Sequence, residues 1–567
     1  MKLKPAFSLT PGTLACALYA ATCVAQAQVA PDAGQLLQQL QPPLAPPREN
    51  APLVLPVPAS QTPVKPGGAQ VTLSAVRFAG NTVFTEATLL AAVQPASGSL
   101  LGQSLDLAGL QAVAERVSEF YRVADYPFAR AFLAPQDMAN GILQIDILEG
   151  RYGQVQALAD RSAAATTPPD RYVAQAQAFL RPLQPGQVIQ SQSLERTTLI
   201  LDDQPGVHAV PLIKPGQAVG TGDLDVGIVR TPLVSGDVGL DNYGSRYSGY
   251  YRARANLMLN SPFMLGDQVS LRSLYSDESL WLGSLGYSLP IGGSGLRGNV
   301  GYAKTSYTLG KEFASALANG TAVVKTVGVS YPLLRSQKTN LNLSATYQDK
   351  QLNDKKDATF INDNKSSTSL PVTLMFDHRD SLGLGGISYG SLGWTPGQLT
   401  LDSALTSADV GNTRGRFDKV NLDVVRLQTL PGNFSLYGHL SGQWAKKNLD
   451  SSEGFILGGA TGVRAYPSGE ASGDAGLLAQ VELRMSFEQW SPYVFYDAGT
   501  VKTDVKPAST ATNNTRQLGG GGVGLRVLQG PWSADAVLAW RTQGGVATAD
   551  TSRDPKPRIW LTAGYRF

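Results

Sequence analysis

A membrane β-barrel of about sixteen antiparallel strands, preceded by two small α/β domains (β-α-α-β-β) and a short N-terminal helix, is the fold class this sequence predicts. Three observations predict it. From about residue 235 onward, polarity alternates residue by residue in segments of ten or so, each closed by Gly, Pro, Asn or Asp. The links between these segments are by turns short and long. No apolar run reaches the ~18 residues a membrane helix needs, and charged residues are only 16% of the chain, against about 25% in an ordinary globular domain.

The elements follow in order. Met1-Lys2-Leu3-Lys4, a mostly apolar stretch from Leu14 to Val24 and the ending Ala25-Gln26-Ala27 read as a secretory signal over residues 1–27. Both cysteines, Cys16 and Cys23, lie inside it, so the exported chain is expected to have no disulfide and to gain its stability from burial or closure. Residues 28–41 contain one amphipathic helix, with Leu36, Leu37 and Leu40 on a shared face and Pro42-Pro43 ending the run. Residues 42–70 hold nine prolines between Pro42 and Pro66 and little charge, the composition of an extended, semi-rigid tether.

Residues 71–150 read as a small mixed domain: a strand from Val71 to Phe78, a helix capped by Thr85, a longer helix capped by Ser104, then strands near Ala129–Leu133 and Ile142–Leu148. The longer helix carries Leu107, Leu110, Val113, Val117 and Phe120 at helical spacing. Residues 151–229 repeat the order more faintly, so two tandem domains of one design are expected.

Residues 230–567 are read as the barrel. In Leu477–Phe487 the residues Leu477, Ala479, Val481, Leu483, Met485 and Phe487 oppose Gln480, Glu482, Arg484 and Ser486. A soluble sandwich produces the same alternation. Three features favour the membrane instead: charges such as Arg252, Arg254, Glu482 and Arg484 on the polar faces, aromatics such as Tyr287, Tyr331 and Trp444 near segment ends, and the connector pattern. Links such as 291–294, 431–433 and 529–531 are short; 309–320, 352–366, 448–474 and 504–516 are long. A bilayer also demands closure, because an open strand edge would leave unpaired amides in hydrocarbon.

At this point the sequence resembles the TpsB family, the outer-membrane transporters of two-partner secretion. In the first α/β domain the resemblance rests on Phe78-Ala79-Gly80-Asn81-Thr82-Val83-Phe84, on Tyr126-Pro127-Phe128-Ala129-Arg130-Ala131 and on Leu148-Glu149-Gly150. Asp125 stands where the family usually has glycine, a change expected to adjust one turn only. In the barrel, Gly462-Val463-Arg464-Ala465-Tyr466 resembles the Val-Arg-Gly-Tyr loop tip, and Phe495-Tyr496-Asp497-Ala498-Gly499 resembles the Phe-x-Asp-x-Gly strand motif. Alternation by itself puts Phe495, Asp497 and Gly499 on one face, so Asp497 points into the lumen and needs a partner.

The resemblance implies that loop 448–474 folds back into the barrel so that Arg464 meets Asp497, with Gly499 leaving room beside the wall. Ala465 replaces the family's glycine, which would strain the tip if that position needs a positive φ. It also implies that the two α/β domains are polypeptide-transport-associated (POTRA) domains, that the Leu36, Leu37, Leu40 helix plugs the pore, and that the C-terminal strand ending in Tyr565 and Phe567 is a sorting signal read by the barrel-assembly machinery.

Enzyme chemistry is not expected. With only His208, His378 and His439 and no usable cysteine, a metal site has no obvious ligands. Gly519–Gly522 lacks the Lys-Ser/Thr of a phosphate loop and reads as a barrel strand. A net charge of +3, dispersed along the chain, argues against nucleic acid as a partner. No catalytic residue, cofactor or metal is assigned. The expected partners are a large secreted exoprotein (an adhesin, cytolysin or toxin), the lipid of the outer membrane, and the assembly machinery during biogenesis. The expected location is the outer membrane of a Gram-negative bacterium, with the POTRA domains in the periplasm. An insertion factor of the same superfamily and a passive porin or receptor are the competing readings.

Overall fold

The computed structural model describes residues 30–42, 44–47, 65–94, 99–159, 170–507 and 514–567; the signal read over 1–27 and most of the proline-rich tether lie outside the described residues. From Val234 to Arg566 the chain closes into an antiparallel barrel of sixteen strands, in which Ile361–Ser369 and Val372–Asp380 count as one strand interrupted at Leu370 and Pro371. Proline has no N–H to give a ladder, yet both halves stay in the wall because each pairs with the same two neighbours, Thr339–Lys356 and Gly386–Leu401. Closure is made by Thr562–Arg566 pairing with Asp237–Asp241.

Alternation sets what each strand shows to either side. Along Trp490–Lys502, Tyr493, Phe495, Asp497 and Val501 are buried, whereas Val494 and Tyr496 are half exposed on the outer surface. Leu240, Leu285, Val327 and Leu483 are likewise exposed outward. That apolar mantle suits lipid.

Connectors fall into two sets. One end of the barrel has tight turns such as 336–338, 430–433 and 530–531; the other carries loops 402–414, 446–474 and 544–557. The 352–366 segment, read above as a long link, is no loop. Thr339–Lys356 and Ile361–Ser369 continue the ladder outward, Gln348↔Ser369 through Lys356↔Ile361, and leave only 357–360 as the turn. Its polar composition marks strands that have left the membrane, not a break in the sheet.

At the tight-turn end sit the α/β domains. In the first, Ala75–Ala79, Ile142–Leu148 and Arg130–Phe132 form a sheet, against which Glu86–Val93 and Leu107–Val123 bury Leu89, Val113, Val117 and Tyr121. The long helix is capped by Asp106, whose carboxylate accepts the Gly109 N–H at 2.9 Å; Ser104 lies in a two-residue strand before it, and Leu107 stays exposed. The second domain repeats the order with Arg151–Ala159, helices Asp170–Phe179 and Ser191–Asp202, then Val207–Pro215 and Thr221–Arg230.

Glu149 is buried between the two domains and accepts the Thr82 and Val83 N–H groups at 2.6 and 2.7 Å and the Tyr121 hydroxyl at 3.0 Å. Burial opposes its ionisation, but these donors together hold its carboxyl below the usual carboxylate range. Asp125 takes a φ of 78°, and its carboxylate accepts the Gln192 N–H at 2.9 Å while its carbonyl accepts that of Ser191. The aspartate therefore reaches into the second domain and does more than shape one turn.

The second domain rests on the barrel's tight turns. Arg335 donates two hydrogen bonds to Asp203, at 2.6 and 2.7 Å; Arg196 donates to the Pro332 carbonyl at 2.7 Å, and the Tyr172 hydroxyl to that of Ser261 at 2.6 Å.

Candidate functional site: a loop and a helix inside the barrel

The strand Phe434–Ala445 hands over to loop 446–474, and the next strand, Ala475–Met485, lies beside it in the wall. Both loop ends are therefore fixed to neighbouring strands, and its middle turns into the lumen. At its tip Arg464 is 5% exposed. Its Nε donates to Asp497 Oδ2 at 2.8 Å, Nη2 to Asp497 Oδ1 at 2.6 Å, and its backbone N–H also reaches Asp497 Oδ2 at 3.1 Å. This is a fork-on-fork pairing, which a lysine cannot copy.

Glu482 supplies a second carboxylate, accepting from Arg464 Nη1 at 2.6 Å. It also pairs with Arg484 and Arg526. The Phe495 ring lies under the guanidinium, 3.6 Å from its central carbon to the ring centroid. Glu482, Phe495 and Asp497 come from inward positions of Ala475–Met485 and Trp490–Lys502, so the strand period itself aims them at the loop.

The rest of the tip is held as closely. Val463, Ala465 and Tyr466 are buried in one apolar cluster with Phe495 and Trp560. The Tyr466 hydroxyl donates to the carbonyls of Gln543 and Gly545 at 2.7 and 2.9 Å, and Trp560 Nε1 donates to the Arg464 carbonyl at 2.7 Å. Ala465 does not take a positive φ, so alanine costs no backbone strain there. Its methyl instead points at Gly520, where an added Cβ would lie 2.4 Å away. At Gly499 an added Cβ would meet Leu457 of the loop at 2.3 Å. The glycine run is where the wall makes room for the loop tip.

The second inward segment is the helix Ala33–Gln39. Asp32 caps it by accepting the Gln35 N–H at 2.8 Å, and the Ala33 N–H donates to Asp354 of the wall at 2.8 Å. Leu36 and Leu40 are buried; Leu37 is only partly so. Lys365 on the wall bridges Asp32 at 3.0 Å and Asp450 of the loop at 2.8 Å, and Gln38 donates to the Ser452 carbonyl. A Cβ on Gly34 would stand 2.5 Å from the Ser452 nitrogen, so only glycine lets helix and loop approach this closely. At the far end, Arg272 donates to the Leu40 carbonyl at 3.0 Å, a cation where the helix carries partial negative charge. Helix, loop and wall thus form one block, beside which a lumen cavity of about 830 Å³ remains.

Tyr565 sits in the last strand, its ring 4.8 Å from that of Trp532, and Phe567 exchanges backbone hydrogen bonds with Gly236 of the first strand. Sequence reasoning missed Glu482 as the second partner of Arg464, although alternation had placed it on the lumen face. It also missed Lys365, Gly34 and Trp560, because nothing local marks a residue whose partner lies 96 positions away, as for Trp560, or 333, as for Lys365.

Residues 220–527 match the model of the haemolysin secretion/activation protein family ShlB/FhaC/HecB, and residues 71–150 match the ShlB-type POTRA domain. The heme/hemopexin transporter protein HuxB of Haemophilus influenzae is 27% identical over 474 residues, covering 82% of this chain and 81% of its own. The outer membrane transporter CdiB of Dickeya dadantii is 23% identical, with 83% of each chain covered. Among solved structures, CdiB from Escherichia coli superposes with a TM-score of 0.70 at 21% identity, covering 90% of this chain and 93% of its own.

Proposed function

The chain belongs to the haemolysin secretion/activation family, the TpsB transporters of the Gram-negative outer membrane, and from that membership we propose that it exports one large partner exoprotein to the cell surface without nucleotide hydrolysis. The observation that carries the reading is the pinned loop. A barrel obstructed by a loop on a buried Arg464 to Asp497 pair and by a helix docked on that loop is a conduit with removable contents.

The POTRA domains catch the extended partner in the periplasm by strand addition or groove binding, which reads backbone with little demand on sequence. The helix Ala33–Gln39 leaves on arrival of the cargo, and folding of the exported chain outside biases movement outward. The cargo is of the adhesin, cytolysin or toxin kind. The tethered helix inside the lumen favours secretion over insertion of membrane proteins.

The test reads the neighbouring reading frames, co-expresses the chain with any large exoprotein they encode, and measures that protein in the medium. Export is expected from the natural chain and lost in Arg464→Ala, with the barrel still folded by heat-modifiable gel mobility. Normal export by Arg464→Ala would overturn the role of the pairing, and no export by the natural chain would overturn the function.

A further inference from the structure

The outer surface of the barrel carries a second feature, unrelated to the lumen. Ala318–Arg335 and Thr339–Lys356 are 18 residues each, where about 9–11 suffice to cross a bilayer, so their far ends stand outside the hydrocarbon. Outward positions there change character in layers. Val300, Val327, Val329 and Leu343 come first, then Tyr302 and Tyr347, half exposed as an interfacial girdle requires. Lys304 is the next outward position after Tyr302, and Lys325 stands directly opposite Tyr302 on the neighbouring strand, level with the girdle.

Both lysines are exposed and outward-facing. Lys304 pairs with Val323 and Lys325 with Tyr302, which makes the lysines diagonal neighbours on one face, about 7–8 Å apart at their bases, close enough for both ammonium groups to converge on one anion. The acidic neighbour is Asp349, opposite Lys325 on the next strand and accepting from Gln351. A lysine facing hydrocarbon is costly at mid-membrane and close to neutral at the interface, so two of them, one level with the tyrosines and one just past them, belong at headgroup depth.

Farther out the same face holds a groove of about 410 Å³, whose polar lining is Thr321, Gln351, Asn353, Asn364, Ser366 and Thr400; Val323, Leu352 and Leu401 complete it with two charges already engaged, Lys365 by Asp32 and Asp450 and Asp402 by the Asn364 and Leu405 N–H groups. Its amides and hydroxyls suit an uncharged, hydroxyl-rich ligand.

We propose that this strip, Lys304 and Lys325 below and the Asn353–Asn364 groove above, binds the phosphorylated glycolipid of the outer leaflet, the lysines taking a lipid A phosphate and the groove its core sugars. The order of the layers matches the order of the lipid's parts: acyl chains against valines, phosphate against lysines, sugars against amides. The inference rests on the barrel lying in the outer membrane and is independent of what is exported.

The test is native mass spectrometry of the full-length protein in detergent, titrated with three probes: lipid A carrying only its innermost core sugars, sugar-free lipid A, and phosphatidylglycerol. The natural chain is expected to retain the sugar-bearing lipid A best. The pair Lys304→Gln with Lys325→Gln should lose about tenfold in retention of either lipid A, the scale set by two cations near an anionic surface. Asn353→Ala with Asn364→Ala should weaken only the sugar-bearing form. Equal retention of phosphatidylglycerol, or undiminished binding by the lysine variant, overturns the proposal; no effect of the asparagine variant overturns its sugar half. Heat-modifiable mobility verifies that each variant is folded.

Discussion

Arg464 is the residue whose surroundings demand most of it. Removing one partner of a buried, hydrogen-bonded ion pair costs about 3–5 kcal/mol because the other charge is left in place, and here two carboxylates, Asp497 and Glu482, would be left. Arg464→Ala is therefore expected to release the tip and abolish export, and Arg464→Lys to fall well short of rescue because it offers no fork; secretion of the partner exoprotein measures both. Asp497 was legible from strand alternation and the loop from its motif, whereas Glu482, one inward residue among several, carried no local sign of its role. In the first POTRA domain, Glu149 provides a pH prediction. Its folded pKa lies below the unfolded value, so its contribution is complete at neutral pH, begins to fall as pH drops through the ordinary carboxylate value of about 4.3, and is gone once pH has passed the lowered folded value. Burial and the adjacent Glu149 push the Tyr121 hydroxyl up, so it remains a donor throughout. Hydrogen exchange over residues 71–150 in the full-length protein should show protection collapsing only in strong acid, and Glu149→Gln should lower protection already at neutral pH.

Among the elements, the helix Ala33–Gln39 and loop 446–474 depend on each other through Gly34 against Ser452 and through Lys365, which joins Asp32 to Asp450. Gly34→Leu should therefore lift the helix off the loop and raise single-channel conductance in planar bilayers about as much as deleting residues 31–41; unchanged current in both would separate the helix from plugging. The helix was visible in the sequence from three leucines and a proline stop. Its seat was not, because contacts from Ala33 to Asp354 and from Asp32 to Lys365 join residues more than 300 positions apart. The opposite error occurred at 352–366: polar residues there look like a loop, but a strand that has left the membrane has no lipid side to keep apolar, and hydrogen-bond pairing continues without the pattern.

At the scale of the whole molecule, the ladder closes on itself while the second POTRA domain rests on the turns through Arg335 with Asp203 and Arg196 with Pro332. Closure leaves no free strand edge inside the wall, so the unheated protein should run compactly on a denaturing gel and shift only on boiling. Arg335→Ala should leave that shift unchanged while raising hydrogen exchange across Ser191–Asp202, because it loosens the domain and not the wall. The size of the lumen helix has a further consequence. It is 7 residues long, well under the ~12–15 at which an isolated helix is even marginal in water. Once expelled, it would melt, and its return would require ordering and docking in one event. Departure is thus rewarded by regained chain entropy, and the conduit would reseal more slowly than it opens.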